Sequence, residues 1–235
     1  MAFAYFYFAT LSSVAEEFAL NEPSSRHIVQ VLRMREGEEL ILTDGRGLQA
    51  VATILDAHKK HCRVRISERN LKDPDPRRVT IALSLLKNTN RFEWFLEKAT
   101  ELGISEIIPL KCSRTEKQQF RKERMQSIVE SALVQSQQSW MPLLQEPEDF
   151  QEFITKAVSD QKFIAHCGKD AKRQLSEMIN TSLSSQLILI GPEGDFTEEE
   201  IGLAFRNRYI AVSLGEQRLR SETAAVAAAA ILKLL

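Results

Sequence analysis

The chain has 235 residues, of which 43% are hydrophobic and 27% are charged. This composition excludes an intrinsically disordered chain and predicts a soluble globular protein, long enough to form one large domain or two. The formal net charge of −1 argues neither for nor against nucleic acid, so only a local excess of basic residues can indicate such a partner.

Cysteine and apolar patterns exclude further classes of protein. Cys62, Cys112 and Cys167 lie far apart without a CxxC pair, which argues against a disulfide framework and a zinc knuckle. His58, His61 and Cys62 lack a second group of ligands at finger spacing, and we interpret them as surface residues of a basic strand. The apolar runs reach only about half of the ~20 residues of a membrane span, and a signal peptide is not evident. We therefore expect a cytoplasmic protein with no metal and no membrane segment.

The N-terminal part predicts a small β-rich module with one helix. AYFYFAT, EELILTDGRGLQAVATILDA and HCRVRISER read as strands, and the Asp-Gly pair in residues 43–47 predicts a tight hairpin. Between the first strand and the hairpin, Ile28, Val31 and Leu32 are spaced like one face of a helix that ends at Gly37.

A change in the pattern of predicted strands and helices marks the boundary between two domains. Pro74 and Pro76 in LKDPDPRR continue neither a helix nor a central strand, so we divide the chain into residues 1–71 and 72–235. Beyond the boundary, the apolar strands VTIALSLL, ISEIIPL, KFIAHC, LILIGP and YIAVSLG alternate with helical stretches, including one from about Gln119 to Gln138. This alternation predicts an α/β domain with a parallel sheet that is covered on both faces.

The GPEG loop (residues 191–197) follows one of these strands, where open α/β sheets bind ligands. Gly191 and Gly194 allow backbone to approach a ligand closely, and Thr197 with Glu200 forms the capping box of the next helix. The loop matches no phosphate-binding glycine motif, and acidic residues crowd the helix start. We expect a cationic or neutral ligand that is recognised mainly by backbone.

The Arg220 loop (residues 214–220) follows the last strand, in LGEQRLRSETAAVAAAAIL. Ser221 is a plausible N-cap of the final helix, whose alanines allow close approach to neighbouring backbone. Taken alone, Arg220 and Glu222 are best explained as a structural ion pair beside a helix start. Because two adjacent loops of this kind follow strands of the same sheet, we favour a ligand site over a purely structural ion pair.

Both loops carry a specific resemblance. IGPEGDFTEEEI, LGEQRLRSETAAVAAAAIL and EWFLEKATELGISEIIPLKCSRT resemble the RsmE family of ribosomal RNA uridine-N3 methyltransferases, in the SPOUT class. HIVQVLRMREGEELILTDGRG resembles the N-terminal PUA-like domain of that family. The match runs in the correct order over nearly the whole chain, and the paired GPEG and LRSETA motifs are far more specific than a lone glycine motif.

The resemblance implies a PUA-like β-barrel domain followed by a SPOUT α/β domain that is threaded into a trefoil knot. It implies a homodimer that uses S-adenosylmethionine to methylate N3 of a specific uridine in small-subunit (16S) ribosomal RNA, with naked RNA and the small subunit both left open as substrates. The cofactor-binding residues carried over from the family are His166, Ile190, Gly191, Pro192, Glu193, Gly194, Leu214, Gly215, Leu219 and Arg220. His166 rests on a looser match, since its surroundings read HCGKD.

The implied chemistry points to two candidate catalytic residues, Arg220 and Glu222. Uridine N3 is a poor nucleophile while it keeps its proton, so the site has to remove that proton or stabilise the resulting anion. Arg220 suits the stabilising role, because a guanidinium stays protonated and presents several donors. Glu222 is a candidate base or a structural residue, and both readings stay open, as does proton transfer to water.

A local excess of basic residues indicates where RNA binds. HKKHCRVRISER, residues 58–69, carries five Lys or Arg residues against one Glu, although such a run is as often a solvated face. The sequence departs from the family in AFAYFYF and QSQQSW, where many members carry an arginine. The candidate RNA-binding residues are Arg33, Lys59, Lys60, Arg63, Arg65, Lys87, Arg91, Lys98 and Arg114.

Two alternatives to the 16S assignment are a SPOUT methyltransferase acting on transfer RNA or another ribosomal nucleotide, and a catalytically silent RNA-binding protein. The match of both domains argues against the first. The intact GPEG and LRSETA motifs argue against the second, because a silent protein has no need to keep them.

Overall fold

A computed structural model describes residues 3–116, 119–168 and 172–235. Ala2 of the divergent N-terminal stretch, and Lys169 and Asp170 of HCGKD, lie outside the described residues. The chain forms two compact units: the first unit is Met1–Pro74 with Leu133–Met141, and the second is Asp75–Ala132 with Pro142–Leu235. The division after residue 71 assigned residues 133–141 to the second domain, whereas in the structure this segment packs with the first unit.

The first unit is built on a five-stranded sheet. Its strand order is β1-β3-β4-β5-β2, in which β1 and β3 are parallel and the other neighbours are antiparallel. The predicted hairpin at residues 43–47 is confirmed, since it joins β3 to β4. The elements are β1 (Ala4–Tyr7), β2 (Glu17–Ala19), α1 (Glu22–Arg26), β3 (Glu39–Thr43), β4 (Leu48–Asp56) and β5 (Arg63–Leu71).

The helix of the first unit differs from the prediction. α1 continues into a π-helical turn, His27–Val31, and the backbone N–H of Leu32 donates to His27 O at 2.9 Å. Arg33 then adopts a left-handed φ of 57°, so the helix ends well before Gly37. The wider π turn rotates later side chains away from the face that Ile28 occupies. As a result Ile28 is buried, while Val31 and Leu32 are exposed and the predicted shared face is wrong for them.

The interpretation of Cys62 as a surface residue is also wrong. Cys62 is completely buried in the core of the first unit, and its backbone N–H donates to Ser25 Oγ at 2.9 Å. Burial, followed by the charge of Asp56, raises the pKa of the Cys62 thiol to about 11. The strand β5 begins one residue later, at Arg63, while the His58 and His61 rings stack with their centroids 3.6 Å apart.

The second unit contains the predicted parallel sheet. Its strand order is β11-β13-β10-β12-β6-β7-β8, with β9 paired to β7, and each of these pairs is parallel. The elements are β6 (Arg78–Ser84), α2 (Thr89–Glu101), β7 (Glu106–Lys111), α3 (Lys122–Gln135, whose end belongs to the first unit), β8 (Leu143–Leu144), β9 (Glu148–Asp149), α4 (Phe150–Lys156), β10 (Gln161–Ala165), β11 (Arg173–Gln174), α5 (Leu175–Met178), β12 (Ser185–Ile190), α6 (Glu198–Arg206), β13 (Ile210–Ser213) and α7 (Ser221–Leu234).

Sequence patterns missed the short elements of the second unit. The strands β8, β9 and β11 have two residues each, and the helices α4 and α5 have seven and four, so each is shorter than the roughly 11- to 18-residue window in which a helical pattern is read. The long helix is also shorter than predicted, because α3 covers Lys122–Gln135 rather than residues 119–138. These differences leave the α/β fold class unchanged.

The alanine-rich helix α7 returns from β13, near one edge of the sheet, to pack on α2, β6 and β12. Ala225, Ala228 and Ala229 are buried on its inner face, where their small side chains allow close packing. The N-cap is Arg220 rather than the predicted Ser221, because Ser221 already lies in the helix and Arg220 O accepts from Ala224 N at 2.8 Å.

Candidate functional site

Three neighbouring strands of the second unit end at one cavity. β13, β10 and β12 are parallel and adjacent, so their carboxyl ends lie at the same edge of the sheet. The loops that follow these strands enclose a cavity of about 760 Å³. His166 comes from the first loop along the chain, Gly191 from the GPEG loop and Gly215 from the Arg220 loop.

The structure brings nearly all of the candidate cofactor residues together. Each of them lines the cavity except Gly194, which lies one residue beyond the lining residue Glu193. The wall also contains Cys167, Lys172 and Asp195, which sequence reasoning did not select. For Cys167 and Asp195 the available signal was their position in loops that follow strands ending at the same edge, whereas Lys172 lies directly before β11.

The GPEG loop is held by its own residues and by the loop after β10. Asp195 has a left-handed φ of 63°, and its Oδ1 accepts from Phe196 N at 2.8 Å. Its Oδ2 accepts from Cys167 N at 2.7 Å, which ties the two loops together. At Gly191, a Cβ would lie 3.2 Å from the ring and backbone nitrogen of Phe196, so a larger residue would crowd this turn.

Residues outside the loop hold it from the other side. The predicted capping box of α6 is confirmed, since Glu200 Oε2 accepts from Thr197 N at 2.8 Å and Glu200 N donates to Thr197 Oγ1. The other oxygen, Oε1, accepts from Ser113 N at 2.8 Å, and the Glu200 side chain is buried. Arg114 Nη1 donates to Gly194 O at 2.7 Å. The GPEG loop is therefore fixed by buried and charge-assisted hydrogen bonds.

The Arg220 loop forms the opposite part of the cavity wall with much less support. Gly215 has a φ of 134°, which favours glycine, and Ser213 Oγ accepts from Gly215 N at 3.3 Å. Glu216, Arg218 and Arg220 line the cavity and are exposed to solvent. The wall thus carries both signs of charge, and Arg220 stands where the last loop turns into α7.

Glu222 does not line the cavity, although Ser221 and Ala224 on either side of it do. It is buried on the inner face of α7, and its Oε1 is 3.5 Å from Nε of Arg91 on α2. Its other oxygen, Oε2, is buried and has no hydrogen-bond partner among the described residues. The ion pair suggested by the sequence between Arg220 and Glu222 is replaced by a pair that joins α7 to α2.

His166 is a buried member of the cavity wall. Its Nδ1 accepts from Gly168 N at 3.1 Å, which folds the loop after β10 over the imidazole. Its ring also meets Phe205 of α6 edge-on, with the ring centroids 6.3 Å apart. These contacts place His166 in the cavity as a positioned aromatic side chain.

The candidate RNA-binding residues of the first unit are on its surface. Lys59 and Lys60 are exposed, as is Arg33 after the π-helical turn. Arg63 and Arg65 are also exposed, and each forms a surface ion pair with a Glu17 oxygen, at 3.3 Å and 2.6 Å respectively. Exposed pairs of this kind are weak and leave the guanidinium groups open to a stronger anion.

The candidate RNA-binding residues of the second unit already have internal partners. Lys87 pairs with Glu116 at 2.7 Å, and Lys98 contacts both Glu97 and Glu101. Arg91 and Arg114 make the contacts with Glu222 and the GPEG loop described above. RNA binding by these four residues stays a prediction, and the structure adds a supporting role for Arg91 and Arg114.

The described ranges, residues 3–116, 119–168 and 172–235, contain no metal-binding cluster and no membrane-spanning helix. Within them, no group of three or more His, Cys, Asp or Glu residues is arranged to hold a metal ion. No helix in the same part of the chain is long and apolar enough to cross a membrane.

Comparisons with known proteins place this geometry in a family. A family model described as an RNA methyltransferase domain matches residues 73–233, and one described as an RNA methyltransferase PUA domain matches residues 20–67. The Ribosomal RNA small subunit methyltransferase E of Rickettsia conorii is 30% identical over 232 residues, which cover 95% of this chain and 93% of that protein. The chain belongs to the ribosomal RNA small subunit methyltransferase E family.

Other members of the methyltransferase E family agree with this assignment. The Synechocystis protein of the same name is 33% identical over 87% of this chain and 68% of its own length. A crystal structure of the Neisseria gonorrhoeae enzyme bound to S-adenosyl methionine superposes with a TM-score of 0.86 at 29% identity, covering 99% of this chain and 98% of that one. The resemblance seen in the sequence is confirmed, together with the α/β fold and the N-terminal PUA domain.

Proposed function

We propose that the protein is an S-adenosylmethionine-dependent methyltransferase that methylates N3 of a specific uridine in small-subunit ribosomal RNA. The observation that carries this proposal is the cavity formed by the GPEG and Arg220 loops at the carboxyl ends of β12 and β13. The family membership supports the reaction class, and the gonococcal relative supports the identity of the cofactor.

The cavity fits this cofactor in size and in chemistry. Its volume of about 760 Å³ lies in the range of small-molecule sites, roughly 300–1,000 Å³. The wall carries three acidic side chains, Glu193, Asp195 and Glu216. It also carries three basic ones, Lys172, Arg218 and Arg220, so it suits a ligand that bears both signs of charge better than a polyphosphate. When bound, S-adenosylmethionine supplies an electrophilic methyl group on a positively charged sulfur. Backbone of the GPEG loop and of Leu214 and Gly215 would hold it.

Arg220 is the residue best placed to act on the nucleotide. Its side chain is exposed at the cavity, and its backbone is fixed by the start of α7. A protonated guanidinium directed at the carbonyl oxygens flanking N3 stabilises the negative charge that develops as the N3 proton leaves. Holding the two reactants in line supplies much of the remaining rate increase.

Glu222 has a positioning role in this proposal. It is buried and does not line the cavity, and its contact with Arg91 fixes the first turn of α7, directly after Arg220. A proton acceptor has to come within hydrogen-bond reach of the proton that it removes. We therefore assign Glu222 to the support of the Arg220 loop, and solvent water is the simplest acceptor for the N3 proton.

We also infer that the protein acts as a homodimer in the cytoplasm. Large apolar side chains of the second unit are exposed, including Phe205 and Leu234, and a second copy would cover such surface. The three cysteines are free thiols, which suits a reducing compartment. Sedimentation equilibrium tests the dimer, and a monomer at working concentration would contradict it.

The decisive experiment for the activity is mass spectrometry of ribosomal RNA from cells that lack the gene, with and without complementation. Loss of one N3-methyluridine from the small-subunit RNA, restored by the wild-type gene, is expected. Retention of every N3-methyluridine would exclude this substrate. Titration calorimetry of the purified protein tests the cofactor separately, and absence of S-adenosylmethionine binding would exclude the enzyme assignment.

A further inference from the structure

Trp140 is held in a fixed position on the first unit while much of its side chain stays exposed. It follows the end of α3, and 38% of the residue is accessible to solvent. Its indole Nε1 donates to Lys72 O at 3.0 Å, so the only polar atom of the side chain is already engaged. The exposed part of Trp140 is therefore aromatic carbon, which can take part in stacking but cannot donate a hydrogen bond.

The hairpin between β3 and β4 is shaped to support this ring. Gly47 has a left-handed φ of 98°, and a Cβ at this position would lie 2.6 Å from Cζ2 of Trp140. Gly47 N donates to Ser139 O at 2.9 Å, and Gly47 O accepts from Lys72 N at 3.0 Å. Asp44 is buried beneath the turn, and its Oδ1 accepts from the backbone nitrogen of Arg46 at 2.7 Å. The indole thus rests on a glycine surface that is itself hydrogen-bonded on both sides.

An exposed arginine lies opposite Trp140 in the backbone pairing. Arg46 and Trp140 face each other in an antiparallel β-bridge, and directly opposed residues in such a pair project their side chains to the same side. Arg46 is exposed, and so is Lys72, whose carbonyl anchors the indole. An aromatic surface flanked by exposed cations is the arrangement that binds single-stranded nucleic acid, through base stacking and phosphate contacts.

We propose that Trp140 and Arg46 form a binding site for one nucleotide of single-stranded RNA, with the base stacked on the indole and a phosphate held by the guanidinium. This site rests on the proposed function for its RNA partner, but it lies within the first unit and contains none of the residues that line the cofactor cavity. It is sequence-tolerant, because every base offers an aromatic face. Duplex RNA, whose bases are already stacked, does not occupy it.

The test measures binding of a short single-stranded RNA to the full-length protein by fluorescence anisotropy, with a duplex of the same strand as the comparison. Trp140→Ala is expected to lower the single-strand affinity about tenfold, and Trp140→Phe to lower it less, because phenylalanine keeps an aromatic face that is smaller than indole and lacks the N–H. Val158→Ala is the control, since Val158 is a 96% exposed apolar residue outside the elements that carry the predicted RNA-binding residues. Arg46→Ala is expected to weaken binding and to reduce its salt dependence.

Tryptophan fluorescence provides a readout that does not depend on the alanine variant folding. The chain has two tryptophans, so a Trp94→Phe protein reports on Trp140 alone. Single-stranded RNA is expected to quench this emission, and duplex RNA to leave it nearly unchanged. Unchanged emission with RNA, or a single-strand affinity of Trp140→Ala equal to that of the wild type, would overturn the proposal.

The proposed site and the proposed function fail in different ways. S-adenosylmethionine binding, measured by calorimetry on the same preparations, reports on the cavity of the second unit. If Trp140→Ala loses RNA affinity while cofactor affinity is retained, the nucleotide site is supported. If S-adenosylmethionine does not bind the wild-type protein, the proposed function fails, whereas quenching of Trp140 by RNA still tests the nucleotide site.

Discussion

The GPEG loop and the Arg220 loop line the same cavity but are held in different ways. The GPEG loop is fixed from several directions, with Asp195 bound to Cys167 N, Glu200 to Ser113 N and Arg114 to Gly194 O. The Arg220 loop has a short turn at Ser213 and Gly215 and otherwise exposes its charged side chains. The GPEG loop thus offers a rigid backbone surface, whereas the Arg220 loop presents exposed charged side chains.

This difference separates the two tasks of the proposed site. A cofactor that is bound in the same way in every cycle is best held by a preorganised backbone surface, because little ordering is needed on binding. A charge that has to meet a different molecule, the RNA, is more useful at an accessible position. The contrast predicts that damage to the GPEG loop weakens cofactor binding, whereas damage at Arg220 slows the reaction.

The largest effect is expected at the accessible wall. Arg220→Ala should lower turnover on the order of 10²- to 10³-fold, as loss of one donor from an anion-stabilising site does, with little change in cofactor affinity. Single-turnover kinetics and calorimetry measure the two quantities. Arg220→Lys keeps the charge but loses the planar fork, so it should recover part of the rate. Equal losses of turnover and cofactor affinity would show that Arg220 mainly binds the cofactor.

The next effect is expected at the support of the rigid wall. Glu200→Ala leaves the backbone nitrogens of Ser113 and Thr197 without their acceptor, at roughly 1–3 kcal/mol for each donor that stays buried. Stability should fall in denaturant titrations, and S-adenosylmethionine affinity should fall with it.

The matched control for Glu200 is Glu199→Ala, which removes an exposed carboxylate from the same helical turn. It should change stability by less than about 0.5 kcal/mol. Similar losses in the two variants would show that the charge of the helix start matters and the buried hydrogen bonds do not.

A smaller effect is expected for the contact between Arg114 and Gly194. Arg114→Ala removes the hydrogen bond to Gly194 O and the longer one to Phe196 O, so cofactor affinity should fall by about 1 kcal/mol, or roughly fivefold. RNA affinity, measured without cofactor, separates this supporting role from the predicted RNA contact. A loss confined to RNA affinity would contradict the supporting role.

The smallest effect is expected from chemical labelling of Cys167, in the loop after β10. Cys167 is exposed and lines the cavity, whereas burial raises the pKa of Cys62 to about 11 and that of Cys112 to about 12. A thiol-specific reagent at neutral pH should therefore label Cys167 first, because the other two thiols stay protonated and shielded. S-adenosylmethionine should slow this labelling in proportion to occupancy, as followed by mass spectrometry. If the rate of Cys167 labelling is unchanged at saturating S-adenosylmethionine, the cofactor binds at another site.

Local patterns in the sequence were sufficient for the long elements and for the loops. Alternation of apolar strands with helices predicted the parallel sheet, and the Thr197 and Glu200 spacing predicted the capping box, because both depend on neighbours within a few residues. The helix after Arg26 was mispredicted because a π turn changes which side chains share a face. Cys62 was misplaced because its burial depends on Ser25, far away in the chain.

The order of residues alone was enough to indicate the two-domain organisation, the α/β class and the two motifs that carry the family resemblance. It left open which distant residues meet, because strand order and helix return are set by packing of the whole chain. Glu222 pairs with Arg91 because α7 packs on α2, and this packing is visible only in the tertiary structure. The contact between Trp140 and Gly47 likewise depends on the folded first unit. The two residues are far apart in the sequence, and no local pattern around either of them indicates the contact.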